Sequence, residues 1–312
     1  MSNYVTISSL GPAALKAGNL AGQPAVENMK EHWSQKLAKV LPDKPDLILL
    51  PEACDRYPDM PIKDRLGYYD VRGNQMLEFF KGKARENSCY IGYSAALKVE
   101  DGSYRNCTTL IDRKGEVAGV YSKNFVVVSE TDYNILSGKN ADVFETDFGK
   151  VACAICFDLN FDELRLKYVE QHPDIILFSS MYHGGMMENY WAYSCQSYFV
   201  GAICNLPCEI IDPLGSSVAK STNYFDYVTH TVNLDCKLAH LDFNWEKFDV
   251  CKAKYGRGFK VTDPGYLGSV LISSELEDVS INDMIKEFEI ELLDDFMQRS
   301  YDHRYKPGVI EP

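Results

Sequence analysis

Short apolar runs alternate along most of this 312-residue chain with longer segments whose apolar residues recur at helical spacing. The runs at 4–10, 47–50, 90–97, 105–112 and 116–122 predict strands, and Arg113-Lys-Gly115 predicts the turn between the last two. Further strands are expected at 151–155, 175–179, 200–205, 209–211, 217–220 and 227–235. Helical spacing covers 24–41, 74–86, 162–171 and 188–198. Helices that alternate with short, wholly apolar strands must lie outside the sheets they cover. The pattern therefore predicts an α/β protein.

Three of these strands end on a reactive side chain. Asp46-Leu-Ile-Leu-Leu50 runs into Pro51, which stops further ladder pairing, and delivers Glu52. Val117-Ala-Gly-Val-Tyr121-Ser122 ends on Lys123, with no compensating charge in the next five residues. Val151-Ala-Cys-Ala-Ile155 ends on Cys156, where Phe157-Asp158-Leu159-Asn160 opens a turn toward a helix. A thiol there stands clear of the sheet and near the unpaired N–H groups of a helix start, which favour thiolate. Each residue alone has a plain alternative: a buried structural cysteine, or solvated loop charges. Glu, Lys and Cys together, on three strand ends, are a rarer set.

These pieces resemble the nitrilase, or carbon–nitrogen hydrolase, superfamily. The resemblance rests on Leu50-Pro51-Glu52, Tyr121-Ser122-Lys123 and the segment from Gly149 through Cys156 to Asp158. Thr146-Asp-Phe-Gly149 is similar to the family's turn before the nucleophile strand, and Ile211-Asp212-Pro213-Leu214-Gly215 to its hairpin turn. The likeness covers about residues 4–235 and implies a four-layer α-β-β-α sandwich. It also implies roles. Cys156 would attack an amide carbon, Glu52 would act as base and then acid, and Lys123 would steady the oxyanion beside the Phe157 N–H. The family's second glutamate, which orients the lysine, falls on Glu130, seven positions after Lys123. Tyr182 and His183 occupy the segment where relatives line the substrate pocket, although a histidine beside a Gly pair is also an ordinary loop residue.

Departures narrow the chemistry. Relatives that hydrolyse N-carbamoyl amino acids place arginine three or four residues after the cysteine, whereas Leu159 and Asn160 stand here. No bidentate carboxylate clamp can be made from that pair. Phe157-Asp158 also departs from the Trp-Glu of true nitrilases. The expected activity is hydrolysis of a small, linear carboxamide to acid and ammonia through a Cys156 thioester. Alternatives are N-carbamoyl amide hydrolysis and a catalytically silent binding module.

Composition closes other options. A net charge of −13 with no basic cluster excludes nucleic acid and anionic membrane as expected partners. No apolar run approaches a membrane span and no leader pattern opens the chain, so a cytoplasmic setting is expected. Ten scattered cysteines fit reduced core thiols. Cys153-x-x-Cys156 with Cys204-x-x-x-Cys208 leaves a zinc or redox alternative. It is disfavoured because pleat alternation turns Cys153 away from Cys156. No metal and no cofactor are expected.

Past residue 236 the likeness fades. A helix is expected at 238–250 and a loop at 251–267, and a domain over 1–250 is followed by an extension over 251–312. Within 280–300, Ile281, Met284, Ile285, Phe288, Leu292 and Phe296 form an apolar stripe, with Ile290 on the far side. The stripe either packs on its own body or helps to form a homodimer or larger homo-oligomer.

Overall fold

The computed structural model describes residues 1–311 and divides into two compact units. One runs from Val5 to Thr231, and the other joins Met1–Tyr4 to the chain from Val232 onward. In the larger unit, one six-stranded sheet contains β1 (Tyr4–Leu10), β2 (Leu47–Leu49), β3 (Tyr90–Lys98), β4 (Tyr104–Ile111), β5 (Val117–Ser122) and β12 (Tyr227–Asn233). Its order is β12-β1-β2-β3-β4-β5. The second sheet contains β6 (Val143–Glu145), β7 (Lys150–Ile155), β8 (Ile175–Ser180), β9 (Tyr198–Ile203), β10 (Glu209–Ile211) and β11 (Ser217–Lys220). Its order is β11-β10-β9-β8-β7-β6.

Each sheet has a parallel centre, β1-β2-β3 in one and β7-β8-β9 in the other. Parallel neighbours require crossovers, and helices supply them. Between β1 and β2 runs α1 (Gly22–Leu37), and between β2 and β3 run α2 (Ile62–Arg72) and α3 (Gln75–Asn87). A single turn, α4 (Val128–Thr131), follows β5. Helix α5 (Asp162–Gln171) joins β7 to β8, and α6 (Met186–Cys195) joins β8 to β9. Val26, Met29, Trp33 and Phe80 of α1 and α3 pack with Ile48 and Ile91 of the first sheet. The sheets meet face to face, where the Ser179 hydroxyl donates to the Leu50 carbonyl (2.8 Å) and Ser9 to that of Gly201 (2.8 Å). The layers are helix, sheet, sheet, helix, as expected. Strands buried on both faces explain why β8 and β9 read as unbroken apolar runs.

The hairpin after β10 shows how the sequence fixes a turn. Asp212 Oδ1 accepts from the N–H groups of Leu214 and Ser216, both at 2.9 Å, and Gly215 takes a φ of +77°. A Cβ at Gly215 would stand 2.9 Å from the Asn189 carbonyl oxygen, so both backbone and space call for glycine.

The smaller unit departs from expectation. It holds an antiparallel sheet of β13 (Cys236–His240), β14 (Phe259–Thr262) and β15 (Ser269–Ser274), in the order β13-β15-β14. Its helices are α7 (Trp245–Tyr255), α8 (Ile281–Phe288) and α9 (Leu293–Arg304). The start of the helix expected at 238–250 is a strand, and the expected loop at 251–267 contains the end of α7 and all of β14. A boundary at 250 would cut α7, whereas the compact units divide at Thr231 and Val232. The apolar stripe is two helices. Ser280 and Asp283 cap α8, and Glu289 then takes a φ of +52° that ends it. This break brings Ile290 back into the core with Ile281 and Met284. Ile281 and Met284 are thus buried within their own unit, and Ile285 and Phe288 pack partly buried against the same core.

Candidate active site

Glu52 follows β2 at the point where Pro51 ends the ladder, and it is buried. Its Oε1 accepts from Lys123 Nζ (3.1 Å) and Asn106 Nδ2 (2.8 Å), and its Oε2 from the Met181 N–H (3.1 Å). Lys123 leaves β5 with its backbone still tied to the Asn106 carbonyl (2.8 Å) and is only 1% exposed. Its second carboxylate partner is Glu130 Oε2 at 2.8 Å, an oxygen that also accepts from the Val127 N–H (2.7 Å). Burial penalises the Lys123 charge, but Glu52, Cys156 and Glu130 outweigh that penalty and raise its pKa. The ammonium therefore stays charged inside the protein.

Cys156 sits one residue beyond β7 with a φ of +51°, a left-handed conformation uncommon for a side chain with Cβ. Glu52, Lys123 and Ser180 stand near enough to act on the ionisation of its thiol, which in turn acts on that of Tyr182. The local shape depends on Asp158, whose buried carboxylate accepts from the N–H groups of Ile155 (2.9 Å) and Phe125 (2.7 Å) and from the Tyr121 hydroxyl (2.7 Å). One side chain thus joins the nucleophile turn to β5 and to the segment after Lys123. Burial raises the Asp158 pKa to about 6, against the pull of those hydrogen bonds.

The thiolate expected from a helix start is not the resting state. Burial, followed by the charge of Glu52, raises the Cys156 pKa to about 11, and Lys123 only partly offsets them. At neutral pH the group is a thiol beside a carboxylate that can take its proton.

Residues 17–233 match the carbon–nitrogen hydrolase family. This chain belongs to that family. It is 25% identical over 207 residues to pantetheinase of Bos taurus, covering 60% of this chain and 38% of that protein. It is 27% identical over 207 residues to deaminated glutathione amidase of Mus musculus, covering 56% of this chain and 63% of that protein. The match thus spans less than two thirds of either relative. Among solved structures, an amidase from Nesterenkonia sp. superposes with a TM-score of 0.63 at 14% identity, over 74% of this chain and 90% of that one. The carbon–nitrogen hydrolase of Helicobacter pylori gives 0.62 at 16%, over 75% and 90%. These structural likenesses support the shared fold.

In this member of the family, Glu52, Lys123, Glu130 and Cys156 border one cavity of about 230 Å³. Phe157 belongs to the short turn after β7, where the first N–H groups have no carbonyl within the turn. Neither pocket candidate is among the residues that line this cavity; Tyr182 stands near the thiol, and burial pushes its pKa up to about 12. His183 does not line the cavity. Its Nδ1 accepts from the Gly185 N–H (2.8 Å) and its ring lies 3.4 Å from Glu188 and 3.9 Å from Glu209. Donor atoms of those three residues lie within 4.8 Å of one another, the only such metal-capable group among the described residues. Cys153, Cys156, Cys204 and Cys208 form no such group, and all ten cysteines are free.

Asn106 was not foreseen. From β4 its Nδ2 donates to both Glu52 (2.8 Å) and Glu130 (3.1 Å), so it bridges two carboxylates that Lys123 also holds. A lone Asn within a buried strand carries no local signature of that duty. Asn106→Asp would add a third carboxylate to one lysine. We expect a lower melting temperature, by several degrees, that recovers as the pH falls toward 5. Thermal scans across pH check this, and an unchanged midpoint at pH 7 would contradict the bridge.

Proposed function

We propose that this protein is an amidase that hydrolyses a small, linear carboxamide to its acid and ammonia. The reading rests above all on a Cys156 thiol that borders the same cavity as Glu52 and Lys123, which are ion-paired to each other. In the first step Sγ bonds to the amide carbon while the thiol proton passes to Glu52. The carbonyl electrons move onto oxygen, next to Lys123 Nζ and the Phe157 N–H. Collapse breaks the carbon–nitrogen bond, and the amine leaves with the proton held by Glu52. Water then attacks the thioester, gives its proton to Glu52, and the acid departs as Cys156 regains a proton. Glu130 and Asn106 hold Lys123 and Glu52 in place throughout.

Ammonia release from amides, nitriles and N-carbamoyl compounds tests this. Amides are expected to react. Release only from N-carbamoyl compounds would favour the second reading, and release from none, by folded protein, would favour a binding module. The pantetheinase and amidase relatives support a substrate of the amide class. No helix among the described residues is long and apolar enough to cross a membrane. A cytoplasmic setting is proposed from the cysteine usage.

Self-association is a separate proposal. With Ile281 and Met284 buried, Met297, Tyr301 and Tyr305 are the exposed apolar residues on and just after α9, at 50%, 59% and 62%. We expect a homodimer or larger homo-oligomer through that face. Light scattering over a dilution series checks it, and a mass of 35.3 kDa at micromolar concentration overturns it.

A further inference from the structure

Away from the cavity, three metal-ligating side chains converge where α6 meets the second sheet. His183 belongs to the loop between β8 and α6, Glu188 to the first turn of α6, and Glu209 opens β10. The imidazole faces both carboxylates, with Nδ1 3.4 Å from Glu188 Oε1 and Nε2 3.9 Å from Glu209 Oε2. Both glutamates are buried, Glu188 completely, while the histidine side chain is 30% exposed and gives the group a way out to solvent.

The Glu188 carboxylate is only half satisfied. Its Oε1 accepts from the Gly184 N–H (2.7 Å), but its Oε2 is buried with no partner among the described residues. The sheet register shows where that oxygen points. Gly201 of β9 pairs directly with Glu209 of β10, so side chains at the two positions leave the same face of the sheet. A Cβ at Gly201 would stand 3.1 Å from Glu188 Oε2. The free oxygen therefore fills the space left by the glycine, beside the Glu209 side chain.

A buried carboxylate oxygen is costly unless a donor or a cation meets it, and here its neighbour is a second carboxylate. Lys220, opposite Glu209 in the β10–β11 ladder, reaches Glu209 Oε2 (3.3 Å), but its side chain is 49% exposed. Burial, and then the Glu209 charge, raise the Glu188 pKa to about 7 against the pull of the Gly184 N–H. One imidazole and two carboxylates, short of positive charge, are a donor set for a divalent transition metal. Mixed nitrogen and oxygen donors suit zinc better than magnesium or calcium, which take oxygen, or Cu(I), which takes sulfur. One donor atom from each residue already lies within 4.8 Å of the others. Tetrahedral zinc, with bonds of about 2.0–2.2 Å, needs them about 3.4 Å apart, so side-chain adjustments of about an ångström complete the site.

We propose that His183, Glu188 and Glu209 bind one zinc ion, through Nε2 of the ring and one oxygen of each carboxylate, with water as the fourth ligand. Binding shifts the ring proton from Nε2 to Nδ1, which stops accepting from the Gly185 N–H and donates to Glu188 Oε1 instead. Glu188 meets the metal through its free Oε2, and Glu209 gives up Lys220. The ion ties β10 and α6 to the loop whose Met181 N–H donates to Glu52, so it braces the candidate active site from outside and takes no part in bond breaking.

Calorimetric titration of chelator-treated, full-length protein with Zn²⁺ tests the site. One equivalent is expected to bind with a micromolar or tighter Kd, and a large excess over that Kd should raise the melting temperature by several degrees. His183→Ala, Glu188→Gln and Glu209→Gln should each weaken binding by at least about tenfold. Glu188→Gln keeps an acceptor for the Gly184 N–H, so it removes the ligand with the least disturbance of the fold. The ten free cysteines are a competing sink, and Co²⁺ distinguishes them, because a thiolate charge-transfer band appears only where cysteine binds. One equivalent of Co²⁺ bound without that band supports the site independently of the variants. No Zn²⁺ binding at concentrations that saturate a micromolar site, undiminished binding in any of the three variants, or a thiolate band on the one-equivalent Co²⁺ complex overturns it.

Discussion

Cys156→Ala is expected to cut ammonia release by at least about a thousandfold, the scale seen when a covalent nucleophile is removed. The melting temperature should move by only a few degrees, since one sulfur atom is lost and the backbone is unchanged. A second measurement separates activation from exposure. Cys54 and Cys236 are more exposed than Cys156, so accessibility alone would direct iodoacetamide to them. We expect Cys156 to be alkylated first at pH 7.5, because Glu52 can accept its proton as the bond forms. In Glu52→Gln that advantage should vanish; labelling at neutral pH should slow and climb as the pH rises, with a midpoint below the unmodified thiol's value of about 11 because the Glu52 charge that helps to raise it is gone. Fast labelling of Cys156 in Glu52→Gln at neutral pH would mean a standing thiolate, and the base role of Glu52 would fall.

The candidate catalytic set was legible because each member stands at the end of a strand, and strand ends are local events. Pro51 after an apolar run, and Cys156 before a short turn, announce themselves within a few residues. Groups that act across the sheet were not readable. Asn106 lies 54 residues from Glu52 and 24 from Glu130, and only the pairing of β4 with its neighbours brings it to both. Helix α2 was missed because its buried face is Tyr68, Tyr69 and Arg72 rather than an aliphatic stripe. His183 illustrates the opposite error. Its position in the chain suggested the pocket, yet the Gly184-Gly185 turn aims the ring at Glu188 and Glu209.

The fold beyond residue 236 was harder for a related reason. Helical spacing across 280–300 is real, but a single left-handed residue, Glu289, resets the phase. Ile290 looked misplaced only on the assumption of one continuous helix, and its burial is the mark of the break. Similarly, β13 and β15 pair over five residues from Cys236 to His240, too few for alternation to stand out against the helix that follows.

Lys123→Ala should be damaging in two measurable ways. It leaves Glu52 and Glu130 buried together with only the Asn106 amide between them. Removing one partner of a buried ionic cluster typically costs about 3–5 kcal/mol, which for a chain of this size lowers the melting temperature by roughly 10 °C. Loss of an oxyanion partner also costs on the order of a hundredfold in rate. Lys123→Arg separates the effects, since it keeps the charge but displaces it. Stability should largely return while turnover stays low. The pH dependence has a definite sign. The Lys123 pKa is raised above its ordinary 10.5, so its stabilisation is fully present below that value and is lost as the pH rises through the folded one. In the alanine variant the two carboxylates can take up a proton as the pH falls, which recovers part of the loss. The difference in stability between unmodified and Lys123→Ala protein should therefore be widest from about pH 7 to about 10 and narrow on either side. A variant that keeps more than about a tenth of the unmodified rate would remove Lys123 from the oxyanion role. A stability difference that does not vary with pH would show that the lysine is held there for packing rather than for its charge.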